Sequence, residues 1–160
     1  MDEKLFKDED IRFMKAALAR ARAAECVGEV PIGAVIVKDG QIIASGRNMR
    51  EMKRNALLHA EIVAIDRACK KLGAWRLEDC TLYVTMEPCP MCAGAIVNSR
   101  IKRVVFGCSD QKAGAYGSVL DMSEYPLNHK YEVEGGVLAE ECGALLSGFF
   151  LSLRQSKKGK

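Results

Sequence analysis

The sequence has no apolar run of the ~20 residues needed to span a bilayer, and its start, MDEKLFKDED, carries no apolar segment behind a basic one. Those two absences argue against a membrane protein and predict a cytoplasmic one. With only 4 prolines and no repeat or low-complexity tract, nothing marks an internal linker in the 160 residues. One domain over residues 1–153 is expected, followed by a basic tail over 154–160. Excess charge is small as well: 24 Lys and Arg against 21 Asp and Glu leave +3, which hints at a polyanionic partner without establishing one. The 7 cysteines are odd in number and follow no overall pattern, so they read as thiols or metal ligands and not as a disulfide framework.

What is present is periodic. Ile11, Met14, Leu18 and Ala21 recur at helical spacing within residues 10–27. IGAVIVK (32–38) and QIIASGR (41–47) are β-rich runs joined by Asp39-Gly40, the dipeptide suited to a type I′ hairpin. Residues 59–72 predict a buried helix stopped by Gly73. CTLYVTM from Cys80 and IKRVVFG from Ile101 read as strands around a short helix, a unit that favours a parallel pair with a right-handed crossover. A strand over 130–134 and a helix over 138–155 close the chain. The order α-β-β-α-β-α-β-loop-β-α predicts an α/β fold, a three-layer α/β/α domain around one mixed sheet.

Two fragments carry chemistry: His59-Ala60-Glu61 opens one buried helix, and Pro88-Cys89-Pro90-Met91-Cys92 opens the next. Cys89 and Cys92, three residues apart, turn their sulfurs to one side, and a helix N-terminus favours their thiolate forms. With His59 they make a ligand set for one Zn²⁺ whose fourth position is left for a water, the arrangement of a catalytic site. Glu61 is two residues from His59 and leaves its helical face, which suits a proton carrier better than a fourth ligand. A lone CxxC also fits a redox pair or half of a structural zinc ribbon, but the chain has no second CxxC.

The H-x-E…P-C-x-x-C arrangement is a signature already described for zinc nucleobase deaminases. On HAE and EPCPMCAGA, together with GEVPIGAV from Gly28, WRLEDCTLYVT from Trp75, SRIKRVVFG from Ser99, GSVLD from Gly117 and LNHKYEVEGGVLAEEC, the chain resembles the cytidine and deoxycytidylate deaminase superfamily. Within it, the resemblance is strongest to the bacterial branch that makes inosine at the anticodon wobble base of tRNA. It implies a five-stranded cytidine deaminase-like sheet, one Zn²⁺ per chain on His59, Cys89 and Cys92, Glu61 as proton donor, no organic cofactor, a tRNA anticodon stem-loop as partner and a homodimer. It further implies that Asn48 hydrogen-bonds the flipped nucleoside, that Val30 and Pro31 wall the base pocket, and that Asp110 and Lys112 contact RNA.

Plainer roles exist for several of these residues. Asn48 also reads as a left-handed turn residue and Asp110 as an Asx turn. Cys69, in register with Ile62, Ile65 and Leu72, reads as core, and Cys26, Cys80 and Cys142 fall on apolar faces too. Against RNA editing stand deamination of a free base or nucleoside, with guanine deaminase the nearest example, and a zinc-stabilised binding module without catalysis. The basic C-terminal segment favours RNA.

Overall fold

The computed structural model describes residues 5–158. In chain order its elements are α1 (Asp8–Cys26), β1 (Gly33–Lys38), β2 (Gln41–Arg47), α2 (Ala60–Leu72), β3 (Cys80–Met86), α3 (Pro90–Ser99), β4 (Arg103–Cys108), β5 (Glu132–Gly135) and α4 (Ala139–Lys158), with a short 3₁₀ turn at Met122–Glu124. They form one sheet of order β2-β1-β3-β4-β5, in which β1 runs antiparallel to both neighbours while β3, β4 and β5 are parallel. This is the mixed five-stranded α/β architecture that the order of the elements and the resemblance predict.

Side-chain alternation explains the layers. Ala34, Ile36, Leu82, Val84, Val104 and Phe106 face α2 and α3, packing on Ala60, Ala64, Ala68, Ala93 and Ile96. Their neighbours Val35, Val37, Tyr83 and Val105 point the other way, onto Phe13, Met14, Ala17 and Leu18 of α1 and Cys142 of α4. The central strands are thus covered on both faces, which is why their sequences are almost continuously apolar. Each fully buried Leu, Val or Ile stabilises the fold by about 1.5–3 kcal/mol.

Local chemistry sets the boundaries. Asp39 and Gly40 have φ of 52° and 74°, both positive as a type I′ turn requires, and they bring Lys38 opposite Gln41. Gly73, left-handed at φ 64°, stops α2. β4 begins two residues later than the apolar pattern suggests, because the N–H of Ile101 closes the end of α3 on the carbonyl of Ile96 (3.3 Å). α4 runs on to Lys158, so residues 154–158 of the expected tail are helical; Gly159 and Lys160, like the first four residues of the expected domain, lie outside the described residues. Cys26 is exposed, contrary to its expected apolar face: two residues past buried Ala24, it lies about 200° further round the helix. Cys80 and Cys142 are buried, and half-buried Cys69 packs against the core.

Asp10 of α1 is almost fully buried and is held by two strands at once. It accepts two parallel hydrogen bonds from Arg103 of β4 (2.7 and 2.8 Å) and one from the Tyr83 hydroxyl of β3 (2.7 Å), while Arg103 also reaches Glu134 of β5 (2.5 Å). The guanidinium of Arg103 holds the Asp10 carboxyl below its usual pKa against the opposing effect of burial. On the other side of the sheet, a Cβ at Gly46 would stand 2.4 Å from the carbonyl of Ala60. The missing side chain lets β2 meet the first turn of α2 and so fixes where that helix begins.

Candidate active site

The helices α2 and α3 start side by side on residues that can bind a metal. His59 and Cys89 are their N-caps, extended at φ −67° and −78°, and neither side chain is spent on capping its own helix. Pro90, preset for a first helical position, starts α3 and places Cys92 in its first turn. The Nδ1 atom of His59 is 3.6 Å from both Cys89 Sγ and Cys92 Sγ, and the three ligand atoms lie within 4.8 Å of one another. Metal–nitrogen and metal–sulfur bonds of about 2.0 and 2.3 Å at a tetrahedral angle span about 3.6 Å, so the spacing and the N/S donor set both fit Zn²⁺.

The two thiols of this group differ in acidity. Cys89 is drawn down to a pKa of about 4, first by the hydrogen bond it receives from the Cys92 thiol and then by His59, against the effect of burial. Cys92 shifts the opposite way, because it donates that hydrogen bond and is buried near the Glu61 carboxylate. Cys89 is therefore the first of the two sulfurs to ionise, and binding of a divalent cation by both as thiolates releases the remaining proton. His59 is raised chiefly by its hydrogen bond to Cys89. Glu61 is buried in the first turn of α2, and burial is the main reason its pKa is raised. It stands beside Cys92 and outside the trio of mutually close ligand atoms.

His59 also lines a cleft of about 490 Å³, together with Val30, Ile32, Asn48, Arg50, Ala60, Met86, Ser109, Asp110, Gln111, Lys112, Leu146 and Phe150. Of the residues singled out from the sequence, Val30, Asn48, Asp110 and Lys112 meet here. Pro31 does not line the cleft. It is the middle of a three-residue turn closed from the Ile32 N–H to the Val30 carbonyl (2.9 Å), which turns residues 30 and 32 to the cavity and buries the proline. Asn48 is not left-handed: its Nδ2 donates to the Val30 carbonyl (3.4 Å) and its Oδ1 accepts the Arg50 N–H (3.1 Å). Asp110 does form an Asx-type turn, with Oδ1 accepting the N–H groups of Lys112 (3.0 Å) and Ala113 (3.2 Å). Cys108 donates to the Thr85 carbonyl (3.4 Å), and burial pushes its thiol up to about 11.

Two buried carboxylates escaped the sequence reading. Glu87, just ahead of the Pro-Cys pair, accepts the N–H groups of Asp110 (3.1 Å), Tyr116 (2.9 Å) and Ser118 (3.2 Å) and the Ser118 hydroxyl (2.5 Å), and so holds the first part of the loop after β4, which lines the cleft at Ser109 to Lys112. A Cβ on Gly114 would come 2.4 Å from that carboxylate, which requires glycine there. Glu29 does the same for the loop after β2, accepting the Glu51 N–H (3.0 Å). An acid placed at the buried junction of a strand and a helix is the signal that marks Glu87.

A mixed five-stranded sheet that carries a His/Cys/Cys group at two helix N-termini, with a buried glutamate beside it and an open cleft in front, defines a hydrolytic deaminase. The chain belongs to the MafB19-like deaminase family, whose model matches residues 7–154. It is 54% identical over 151 residues to the tRNA-specific adenosine deaminase of Bacillus subtilis (strain 168), covering 94% of each chain. It is 50% identical to that of Haemophilus influenzae, covering 93% of this chain and 87% of the relative. Among solved structures it is similar to a tRNA:A34 deaminase studied for A-to-I editing at the wobble position (TM-score 0.82, 43% identity, 84% of this chain and 99% of that one). It is also similar to the guanine deaminase of Nitrosomonas europaea (TM-score 0.74, 28% identity, 92% and 86%).

Proposed function

We propose that the protein converts adenosine to inosine at the wobble position of a tRNA anticodon, using one zinc ion per chain. The observation that carries the substrate is the 54% identity, over nearly the full length of both chains, to a tRNA-specific adenosine deaminase. The guanine deaminases lie further off, at 28% for the enzyme above and 35% for one from Bacillus subtilis. His59, Cys89 and Cys92 would hold the metal, which when bound supplies the Lewis acidity that brings ionisation of a water into the neutral range. Glu61, its pKa raised by burial, carries both protons of the attacking water in turn, the first from the water to the ring nitrogen and the second from the hydroxyl so formed on the carbon to the departing amine, so that water is consumed and ammonia released. Asn48 orients the nucleoside, with Val30 and Ile32 along the base. Asp110 shapes the loop that presents Lys112 to the RNA.

The proposed unit is one domain over residues 1–153, working in the cytoplasm as a homodimer; no described helix is long and apolar enough to cross a membrane. Large apolar side chains at Leu57, Val119 and Tyr125 are more than half exposed, which supports burial against a second copy. The substrate is tested by offering the zinc-loaded protein an anticodon stem-loop with adenosine at the wobble position, free adenosine, and guanine. Inosine should form in the stem-loop alone. Equal turnover of free adenosine, or rapid turnover of guanine alone, would replace RNA editing with the free-base reading.

A further inference from the structure

Residues 109–121, between β4 and the 3₁₀ turn, form no helix or strand beyond one bridge between Tyr116 and Asp121, yet Ser109, Asp110, Gln111 and Lys112 make one wall of the cleft. This stretch is tied down at a single point of the chain. The Glu87 carboxylate takes the N–H groups of Asp110, Tyr116 and Ser118 and the Ser118 hydroxyl, and the adjoining Pro88 carbonyl takes the N–H of Ala115 (2.9 Å). Glu87 is fixed in turn, since its own N–H donates to the Cys108 carbonyl at the end of β4 (2.8 Å). Its side chain is buried and does not line the cleft, so it reaches a substrate only through the loop. Burying a carboxylate costs stability unless hydrogen bonds compensate it, and here every donor to its side chain comes from this loop.

We infer that Glu87 is a positioning residue for the substrate: it sets one wall of the cleft during folding, so that binding does not carry the cost of ordering the loop. The assignment rests on the RNA substrate proposed above. Segments that become ordered only on association lower affinity, and the buried carboxylate removes that loss. The metal ligands and Glu61 belong to the starts of α2 and α3, helices packed on the sheet. Once a substrate has ordered a loosened loop, the reacting groups stand where they do in the intact protein. Loss of Glu87 therefore acts on affinity and KM and leaves kcat little changed. Charge gives the role a sign. An anion beside a cleft for a polyanion opposes binding, so electrostatics alone would make the RNA bind more tightly when that charge is removed. Positioning predicts weaker binding.

The test compares the zinc-loaded wild type with Glu87→Gln and Gly114→Ala, measuring the affinity for a fluorescent anticodon stem-loop together with KM and kcat. Glu87→Gln keeps the shape but turns an amide donor towards N–H groups that need an acceptor. Gly114→Ala keeps the charge and presses a methyl group against the carboxylate, 2.4 Å from its Oε2. Both variants should hold as much zinc as the wild type, bind the stem-loop about tenfold more weakly with KM raised to match, and keep kcat near the wild-type value. A protein that was merely destabilised would instead lose active chains, lowering the apparent kcat and leaving KM alone. Hydrogen exchange at the amides of Asp110, Tyr116 and Ser118 should be faster in the free variants and slow strongly when the stem-loop is added. Ser118→Ala, which removes one donor, is the milder variant and should shift affinity the same way by less. Binding that is unchanged or tighter in both variants while the wild type binds and edits the stem-loop, or zinc lost from both, would overturn the role of Glu87 alone. A wild type that neither binds nor edits it would overturn the RNA reading and this assignment together.

Discussion

At the scale of single residues, each charge in the site has a separate task, and substitution should separate them. Glu61→Ala should leave a folded protein that keeps its metal while turnover falls by a factor of about 10²–10⁴, the usual contribution of a positioned proton carrier. Metal analysis beside a turnover assay checks this, and loss of the metal would make Glu61 a ligand. Cys89 offers a test that needs no substrate. Its pKa of about 4 makes it a thiolate at pH 6 once a chelator has cleared the site, whereas burial raises Cys108 to about 11 and Cys142 to about 12. Iodoacetamide at that pH should therefore modify Cys89 well ahead of Cys108 and Cys142, as read by peptide mass spectrometry, and added zinc should protect it. Similar labelling of all three would show that Cys89 is not the acidic thiol described.

At the scale of elements, the ion network around Asp10 links α1 to three strands. Its carboxyl has a native pKa below the ordinary 3.8. A depressed acid contributes stability that is fully present above 3.8 and disappears as the pH falls through the native value. Asp10→Asn, which takes the buried carboxylate from Arg103 and leaves it only Glu134 as a close partner, should cost about 1.5–3 kcal/mol at neutral pH. Urea denaturation should show that gap, and the gap should close in strong acid; a gap that persists unchanged there would assign the loss to packing. This network was not legible in the sequence, since Asp10 and Arg103 are 93 positions apart and each looks like ordinary surface charge. The strands and helices were legible, because apolar periodicity and turn residues such as Asp39-Gly40 and Gly73 are local. The metal-ligand trio was legible for the same reason: two short motifs at helix starts carry it. The cleft was only half legible. Asn48, Asp110, Lys112 and Val30 reach it, but the inward turn of Ile32 over Pro31 and the anchoring by Glu29 and Glu87 depend on backbone hydrogen bonds that no residue pattern announces.

For the whole molecule, exposed Leu57, Val119 and Tyr125 predict association. Light scattering should give the mass of two chains at micromolar concentration, and a charge placed at Tyr125 should shift the equilibrium to one; a wild-type monomer at that concentration would remove the homodimer from the proposal. How copies can meet is limited by the borders of the sheet. One border, β2, is distorted by an irregular register opposite Ile36 and Val37, and the other, β5, is only four residues long and carries Glu132 and Glu134. Neither is a flat template on which a strand from another chain could continue the ladder, and like charges would face each other if two β5 strands came together. Copies of this protein are therefore left to join through side-chain surfaces that part again on dilution, and crowding them should produce reversible pairs in preference to fibrous aggregates grown by edge-to-edge strand addition.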